Sequence, residues 1–429
     1  MSIIRPLRAI RYNTDRASDV SSRLAPPYDV VSEAEKQALL AGDECNFVKI
    51  DLPHTPPKAA GPPEVYQDAN ETLLDWLARG VMVQDEQPAI YVYHQLYRYG
   101  DVDYTRKMFF ARLRLEAFGS RSVFPHEKTF GGPKEDRLCL TKATKANLSP
   151  IFGLYEDTDN EVAQSLEQAL PPEPLASGTL NEIKSRIWAV TDERVIAEVA
   201  RLMQPRPIYI ADGHHRYGTG MLHRDWLIER QGPLPADHPA NFVLCVFCAM
   251  EDPGLLILPT HRVLSGIEVS REFLTEDDNL TIEQLSVTGP EKAVKALSDY
   301  GPQALACHNP AKGEYLVLRP RNVGILDNLE PEHSLAWCRL GLAFLHAYLL
   351  ERLVVPKLCG GAAPAVQYIK AADDAARAAA DSAGTAFLMQ PTTMEEMRSV
   401  CGAGDLMPHK STYFYPKLAS GLIVNPLDN

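Results

Sequence analysis

The sequence lacks the short motifs that define the commonest nucleotide-binding and hydrolytic sites. It contains no Gly-x-Gly-x-x-Gly, no Walker pattern Gly-x-x-x-x-Gly-Lys-Ser/Thr and no Gly-x-Ser-x-Gly. In those motifs glycines let the backbone approach a phosphate closely or turn sharply at a nucleophile. Their absence removes the usual dinucleotide-binding, P-loop and esterase interpretations.

The sequence also lacks an excess of positive charge and a long apolar run. It has 43 Lys and Arg against 56 Asp and Glu, a formal net charge of −13. A field of that sign disfavours nucleic acid and anionic membranes as partners. The most apolar helical stretch, residues 335–355, is interrupted by two arginines, a histidine and a glutamate. It is expected to be a buried amphipathic helix and not a membrane span.

No disulfide framework and no secretory core are visible. The eight cysteines are scattered, and no apolar secretory run follows residues 1–12. We therefore expect a reduced, cytoplasmic setting. Cys245 and Cys248 have the spacing of a metal pair. They lie in an apolar strand, however, where residues three apart point to opposite faces and cannot share one ion.

Length and composition indicate an ordinary globular chain of two or three domains. It has 429 residues, of which 45% are hydrophobic and 23% charged. Helical and strand patterns alternate without a regular βαβ repeat, which predicts an α+β fold of mixed sheets with packed helices. We expect an N-terminal α+β domain (1–115), a central domain (116–270) and a C-terminal α+β domain (271–429).

Hydrophobic periodicity predicts the main elements. Helices are expected at 33–41, 64–79, 160–170, 193–203, 217–230, 290–300, from 332 onward and at 394–400. Strands are expected at 89–99, 107–115, 187–190, 207–211, 241–250, 255–258, in a hairpin over 304–318 and at 385–389.

The most informative stretch is residues 208–217, Ile-Tyr-Ile-Ala-Asp-Gly-His-His-Arg-Tyr. A short strand, a glycine turn and a helix start here carry two histidines and an arginine. The first N–H groups of a helix have no partner inside it, and the positive end of the helix dipole lies there. This pattern predicts an anion site. Asp212 is placed to cap the helix, hold a metal ion or take a proton.

Other polar segments add groups of the same chemistry. Glu127 stands between His126 and Lys128, and Arg137 follows in a stretch of mixed charge. A carboxylate among cations stays ionised and suits a metal ligand or a base. Three further candidates lie at residues that follow a strand or flank an aromatic run, namely His261, Arg262 and Lys410.

The motif Asp212 to Arg216 after a strand is similar to the nucleotide-binding motif of the ParB/sulfiredoxin superfamily. That superfamily includes ParB-type CTPases, sulfiredoxin and archaeal free serine kinases. The whole chain more closely resembles the DUF 1015 family of uncharacterised bacterial and archaeal proteins. Five further segments carry this resemblance: 25–31 (APPYDVV), 125–129 (PHEKT), 146–151 (ANLSPI), 258–262 (LPTHR) and 407–417 (MPHKSTYFYPK). His409 departs from it, since glutamine is expected there.

The resemblance implies a ParB/sulfiredoxin-like portion in the central domain, which carries the segments around Glu127, Asp212 and His261. Together with the side chains needed for phosphoryl transfer, it implies a small-molecule kinase. A nucleotide (ATP or ADP) or pyrophosphate would phosphorylate a hydroxy amino acid such as serine, with Mg²⁺ as cofactor. The expected partners are therefore a nucleotide and a small-molecule substrate, without membrane or nucleic acid; the oligomeric state stays open.

Each candidate residue then has an expected role. Glu127 is expected to be the general base, and Asp212 is expected to bind Mg²⁺ or orient the acceptor hydroxyl. These two roles could be exchanged between the two residues. His215 is the third expected catalytic group. The turn at Gly213 with His214, His215 and Arg216 holds the donor phosphates. Secondary phosphate contacts are expected from Lys128, Arg137, His261, Arg262 and Lys410.

Three alternatives remain open at this level. A hydrolase would use the same groups on a phosphate ester with water as the acceptor. A ParB-like nucleotide-binding protein without enzymatic activity would carry a helix-turn-helix with a basic face, and no basic helix of that kind is visible in the sequence. A zinc enzyme rests on the histidines alone, and the adjacent His214 and His215 cannot share one helical face.

Overall fold

The structure is a computed structural model that describes residues 1–15, 18–57, 59–127 and 131–428. The chain divides into two compact units, Met1–Leu256 with Pro416–Asn429, and Ile257–Tyr415. The mixture of helices and several sheets agrees with the predicted α+β class. Among the described residues, no helix is both long enough and apolar enough to cross a bilayer.

The strands are β1 (Ile4–Arg5), β2 (Ile10–Tyr12), β3 (Met82–Gln84), β4 (Ile90–Tyr99), β5 (Val102–Arg114), β6 (Val123–Phe124), β7 (Ala146–Asn147), β8 (Ile151–Tyr155), β9 (Ala176–Leu180), β10 (Ile183–Val190), β11 (Ile208–Asp212), β12 (Phe242–Ala249), β13 (Leu256–Leu258), β14 (His261–Leu264), β15 (Leu280–Gln284), β16 (Leu305–Asn309), β17 (Glu314–Pro320), β18 (Val366–Ile369), β19 (Thr385–Leu388), β20 (Tyr413–Tyr415) and β21 (Asn425–Pro426).

The α-helices are α1 (Glu33–Gly42), α2 (Val48–Asp51), α3 (Pro63–Ala78), α4 (Gly131–Thr144), α5 (Glu161–Gln168), α6 (Glu193–Met203), α7 (His214–Gln231), α8 (Arg271–Thr275), α9 (Pro290–Ala296), α10 (Leu335–Cys338), α11 (Gly341–Ala343), α12 (Val355–Leu358), α13 (Ala372–Asp381) and α14 (Met394–Gly402). A π-helical segment, Phe344–Val354, joins α11 to α12.

The first unit is organised around a mixed sheet with the strand order β6-β11-β8-β12-β5-β4-β10-β9, and β1 also pairs with β5. β8 runs parallel to β12 and antiparallel to β11. Every side chain of β8 and β12 is buried, because both faces of these central strands are covered. α7 packs on β8 and β12, and α4 packs against α7. The carboxyl end of β11 and the start of α7 therefore lie beside buried strands.

The second unit contains an antiparallel sheet with the order β15-β17-β16-β19-β14-β18. Successive side chains of a strand enter opposite faces. Leu305 and Cys307 accordingly join one apolar cluster with the π-helical segment, and Ala304 and Ala306 join another with α9 and α13. This sheet thus has helical layers on both faces.

The observed division of the chain differs from the predicted boundaries after residues 115 and 270. β5 ends at Arg114 but pairs with β12, so one sheet continues across the first predicted boundary. The last segment, Pro416–Asn429, returns to the first unit, where β21 pairs with β7.

Two local predictions need correction. The mixed-charge stretch after residue 130, for which no helix was predicted, forms helix α4, whose Arg137, Leu140, Thr141 and Thr144 are buried at helical spacing. The helix expected from residue 332 is broken, because the chain is extended at Leu340 (φ −73°, ψ 135°). A Cβ on the following glycine would lie 2.9 Å from the carbonyl oxygen of Pro302, so the break accommodates a close backbone approach.

Candidate functional site

The candidate site is built at the turn between β11 and α7. Gly213 has φ +88°, a conformation that side chains with a Cβ rarely adopt. A Cβ at this position would also lie 3.0 Å from Arg216 Nε and 3.1 Å from Ile151 Cα. Both the backbone angle and the close approach of Arg216 therefore require glycine here.

α7 starts without a side-chain cap among the described residues, and its first backbone hydrogen bond runs from Tyr217 N–H to Gly213 O. The N–H groups of residues 214–216 precede that bond at the positive end of an 18-residue helix. The predicted strand–glycine–helix geometry is thus present, with α7 starting three residues earlier than the helix predicted at 217–230.

Asp212 is the charged centre of this turn. Its Oδ1 accepts a hydrogen bond from Gly213 N–H (2.8 Å), and its Oδ2 lies 3.1 Å from Lys417 Nζ and 3.6 Å from Arg216 Nη2. Burial alone would raise the pKa of Asp212, but the charges of Lys417 and Arg216 outweigh it and hold that pKa well below its ordinary value. Asp212 is therefore ionised and bound to two cations.

Arg216 folds back over the turn from the first turn of α7. Nη1 donates a hydrogen bond to the carbonyl oxygen of Pro150, and 12% of the side chain is exposed. The buried Nε–H has no acceptor among the residues that the structure describes. Burial would lower the pKa of Arg216, but nearby acidic groups, Asp212 first, raise it above the usual value, so the guanidinium stays charged.

His126 and His214 form a buried pair in which the hydrogen bonds fix both tautomers. His126 Nδ1 lies 2.6 Å from Ile210 O, and His126 N–H donates to His214 Nε2 (3.1 Å). A carbonyl only accepts, so His126 carries its proton on Nδ1. His214 Nε2 accepts, so the proton of His214 is on Nδ1. Burial lowers the pKa of both rings, which are therefore neutral near pH 7.

His215 and Glu127 lie near this pair with partial solvent access. Glu127 Oε1 is 3.9 Å from His126 Nε2, and a quarter of the Glu127 side chain is exposed. Burial lowers the pKa of His215 and the charge of Lys134 adds to that effect, whereas the charges of Asp29 and Glu127 oppose it. Lys128, predicted as a phosphate contact, lies outside the described residues.

A small cavity of about 40 Å³ adjoins the turn, and Arg216 forms part of its wall. Arg137, another predicted phosphate contact, lines it as well, but its guanidinium is engaged: Nε donates to Asp136 Oδ2 (2.7 Å) and Nη1 to Asp51 O (2.6 Å). The Arg137 guanidinium also lies 4.0 Å from the centre of the Tyr28 ring. Arg137 is thus a buried, paired wall residue of this cavity.

His261, Arg262 and Lys410 belong to the second unit. The Arg262 guanidinium donates to the carbonyl oxygens of Thr260, His409 (3.0 Å) and Lys410 (2.9 Å), and its Nε donates to a histidine ring. His261 is buried, and its Nδ1 accepts from the backbone of Met389 (3.0 Å). These hydrogen bonds do not support the predicted phosphate contacts of the three residues. The contacts stay a prediction.

Lys417 is the site residue that sequence reasoning missed. Arg106 is fully buried and donates to the carbonyl oxygen of Pro416, while the Gln95 amide donates to Lys417 O (3.1 Å). These contacts fix the backbone from which Lys417 reaches Asp212, 205 residues earlier in the chain. One signal in the sequence could have identified it, since Lys417 lies in the segment 407–417, which carries the family resemblance.

The geometry around Asp212 does not fit the predicted Mg²⁺ ligand, because one oxygen accepts from a backbone N–H and the other is paired with Lys417 and Arg216. Within the described ranges, the one group of three metal-type ligands is Glu330, Glu332 and His333 in the second unit. Asp212 acts as an anchor for cations in this arrangement.

The fold and site define an α+β protein with a charged turn at a helix start, and comparison places it in a family. The chain belongs to DUF1015, a family of proteins of unknown function, whose model matches residues 4–316. No curated protein matches the chain.

Several solved structures are similar to parts of this chain. They include a free serine kinase in complex with AMP, with 12% identity and a TM-score of 0.34, covering 72% of this chain and 88% of that one. A conserved hypothetical protein from Pyrococcus furiosus has 14% identity and a TM-score of 0.32, covering 71% and 92%. SbnI with a C-terminal truncation from Staphylococcus aureus has 11% identity and a TM-score of 0.33, covering 74% and 87%.

Proposed function

We propose that this protein is a small-molecule phosphotransferase that binds the phosphates of a nucleotide or pyrophosphate at the start of α7. The observation that carries the proposal is the convergence of Lys417 and Arg216 on the turn at Asp212. Two cations face this one carboxylate, next to the N–H groups of a helix start that no side chain of the described residues caps. Helix start and cations together favour a bound oxyanion.

The proposed reaction transfers a phosphoryl group to a hydroxy amino acid such as serine. The acceptor oxygen forms a bond to phosphorus, while the bond from phosphorus to the bridging oxygen breaks and its electron pair leaves with the shortened donor. The proton of the acceptor hydroxyl passes to Glu127, the partly exposed carboxylate beside His126. Lys417 and Arg216 offset the negative charge on the transferred group.

The neutral histidines support this reaction without changing charge. The His126 ring bonds to Ile210 O and the His126 N–H donates to His214 Nε2, so this pair holds the loop before Glu127 to the end of β11. Both contacts use the neutral tautomers described above. His215 is half-buried and its lowered pKa favours a neutral ring that donates to a phosphate oxygen. Asp212 has the role of orienting Lys417 and Arg216 in place of the predicted metal role, and no step is assigned to Mg²⁺.

The test is a mass-spectrometric activity screen of the purified protein. It contains Mg²⁺, one of ATP, ADP or pyrophosphate, and a panel of hydroxy amino acids. Glu127→Gln removes the base and is expected to lower the rate by roughly 10²–10⁴-fold. Lys417→Met is expected to weaken donor binding, because one of the two cations at Asp212 is lost.

Matched variants separate these effects from general loss of charge. Glu116→Gln replaces a carboxylate of similar exposure, and Lys107→Met removes a lysine paired with Glu167 at 2.9 Å. Both controls are expected to keep full activity. Release of free phosphate without a phosphorylated acceptor would replace the kinase with a hydrolase, and absence of any donor binding would refute the proposal.

A further inference from the structure

A group of metal-type side chains lies in the second unit, apart from the residues of the turn at Asp212. Glu330, Glu332 and His333 each offer one ligand atom, and these three atoms lie within 4.8 Å of one another. The backbone N–H of His333 donates to Glu330 O (3.1 Å), which closes a turn with Pro331 at its second position. Proline suits that position because its φ is already fixed. The three side chains therefore start from one short and rigid piece of backbone.

The His333 ring is held in one orientation by residues outside this group. It stacks on the Trp337 ring, with the ring centres 3.8 Å apart and the planes at 8°. Its Nδ1 lies 3.1 and 3.2 Å from the two carboxylate oxygens of Asp405. Those oxygens also accept the backbone N–H groups of Ser334 (2.8 Å) and Leu406 (2.7 Å), which fix the carboxylate in place. Since a carboxylate accepts, the proton of the neutral ring is on Nδ1, and Nε2 keeps its lone pair.

This contact is the one that metal-binding histidines make with their second nitrogen. In such sites a carboxylate accepts the remaining ring N–H, which sets the tautomer, orients the ring and makes the ligand nitrogen more basic. Asp405 has that position relative to His333. Among the residues that the structure describes, His333 Nε2 has no hydrogen-bond partner of its own. The imidazole is thus prepared for a ligand, which a surface cluster of acids alone would not be.

The two glutamates complete the group from opposite degrees of exposure. Glu330 is 15% exposed, and its Oε1 accepts from Arg352 Nη2 (2.8 Å), which orients the carboxylate and leaves Oε2 for an ion. Glu332 is exposed and free to move. Ligand atoms around zinc are about 3.4 Å apart, so Glu332 has to approach by roughly an ångström. With Asp405, three carboxylates face one guanidinium and a neutral ring, a balance that favours a cation.

We infer that Glu330, Glu332 and His333 bind a divalent transition-metal ion of the zinc type. One imidazole nitrogen and two carboxylate oxygens are ligands of Zn²⁺, whereas Mg²⁺ and Ca²⁺ take oxygen ligands. Three protein ligands leave the fourth position of a tetrahedral ion to water, as in exchangeable zinc sites and unlike closed structural ones. The site shares no residue with the turn at Asp212 and does not depend on phosphoryl transfer there.

Calorimetric titration of the full chain with Zn²⁺ and, in parallel, with Mg²⁺ tests this inference. The buffer contains neither phosphate nor a nucleotide, so that metal binding is measured alone. Zn²⁺ is expected to bind at least about tenfold more tightly than Mg²⁺, because one of the ligands is a nitrogen. Co²⁺ in place of Zn²⁺ is expected to give the visible absorption of a tetrahedral ion. Equal affinities for Zn²⁺ and Mg²⁺ would indicate an unspecific acidic surface and would overturn the inference.

Variants locate the ion at this group. Glu332→Gln changes an exposed ligand without disturbing the fold, and His333→Gln removes the nitrogen ligand; each is expected to weaken Zn²⁺ binding at least about tenfold. Glu351→Gln, at another exposed glutamate of the second unit, is the matched control and should leave Zn²⁺ binding unchanged. Asp405→Asn tests the positioning role and is expected to weaken Zn²⁺ binding about 10–100-fold and to shift the Co²⁺ absorption. Zn²⁺ binding that neither Glu332→Gln nor His333→Gln weakens would overturn the inference.

Discussion

Replacing Asp212 by asparagine distinguishes an anchor for cations from a metal ligand. The substitution keeps the shape of the side chain and removes the charge that lies 3.1 Å from Lys417 Nζ and 3.6 Å from Arg216 Nη2. The two cations then lose their nearest counter-charge. The summed charge of these three side chains changes from +1 to +2, next to the positive end of α7.

Two effects of opposite sign are expected from Asp212→Asn. Breaking a buried ion pair costs about 3–5 kcal/mol, but Asp212 and Lys417 are each about a quarter exposed, so a loss of roughly 1–3 kcal/mol in the free energy of unfolding is expected. Pyrophosphate binding should strengthen, because one repulsive charge a few ångströms away is removed. At a near-surface dielectric this amounts to about 1–2 kcal/mol, or a factor of roughly 5–30 in affinity.

Urea unfolding and calorimetric titration with pyrophosphate, without divalent metal and at two salt concentrations, measure the two effects. Asp85→Asn is the matched control, since Asp85 forms a similarly buried pair with Arg11 at 2.9 Å. It should lower stability and leave pyrophosphate binding unchanged. Pyrophosphate affinity that falls or stays constant in Asp212→Asn would refute the anchoring role, as would an equal gain in Asp85→Asn.

Three further predictions follow from the local geometry. Gly213→Ala should lower the free energy of unfolding by about 1–2 kcal/mol more than Gly232→Ala, measured in urea, because both glycines have positive φ but a Cβ at Gly232 would meet open space; equal losses would contradict the close contact with Arg216. The unfolding free energy should fall as the pH drops from 6.5 to 4, since burial lowers the pKa of His223 to about 4 and the unfolded chain binds the proton first. That shift corresponds to about 3 kcal/mol for this ring, and a His223→Gln variant should show a flatter pH dependence of stability. Arg262→Met should destabilise the second unit by roughly 2–4 kcal/mol, visible in thermal unfolding, because three carbonyl groups lose their donor; an unchanged melting temperature would count against this structural role.

The strand, the turn and the helix of the candidate site could be predicted from the sequence. Their signals are local: an apolar run into Asp212, a glycine where φ is positive, and a helical pattern beyond it. The same holds for the hairpin of β4 and β5, whose β-branched and aromatic residues flank the turn at Gly100. For these four elements the predicted ends lie within five residues of the observed ones.

The contacts that complete the site could not be predicted in this way. Lys417 reaches Asp212 across 205 residues, and His126 meets His214 across 88. Both contacts depend on the order of strands in the sheet and on the return of the C-terminal segment, which local periodicity does not determine. Helix α4 was missed for a different reason, since its charges and the two glycines at its start concealed the buried positions at helical spacing.

The return of residues 416–429 to the first unit has a consequence for synthesis. The ribosome produces residues 257–415 before Lys417 emerges. The two parts of the first unit are therefore synthesised at different times, separated by the whole second unit. Domains usually fold as units during synthesis, beginning from the N-terminus. Until its last strand and lysine arrive, the nascent first unit would hold Asp212 without its closer cation. The site is therefore completed only after the whole second unit has been synthesised.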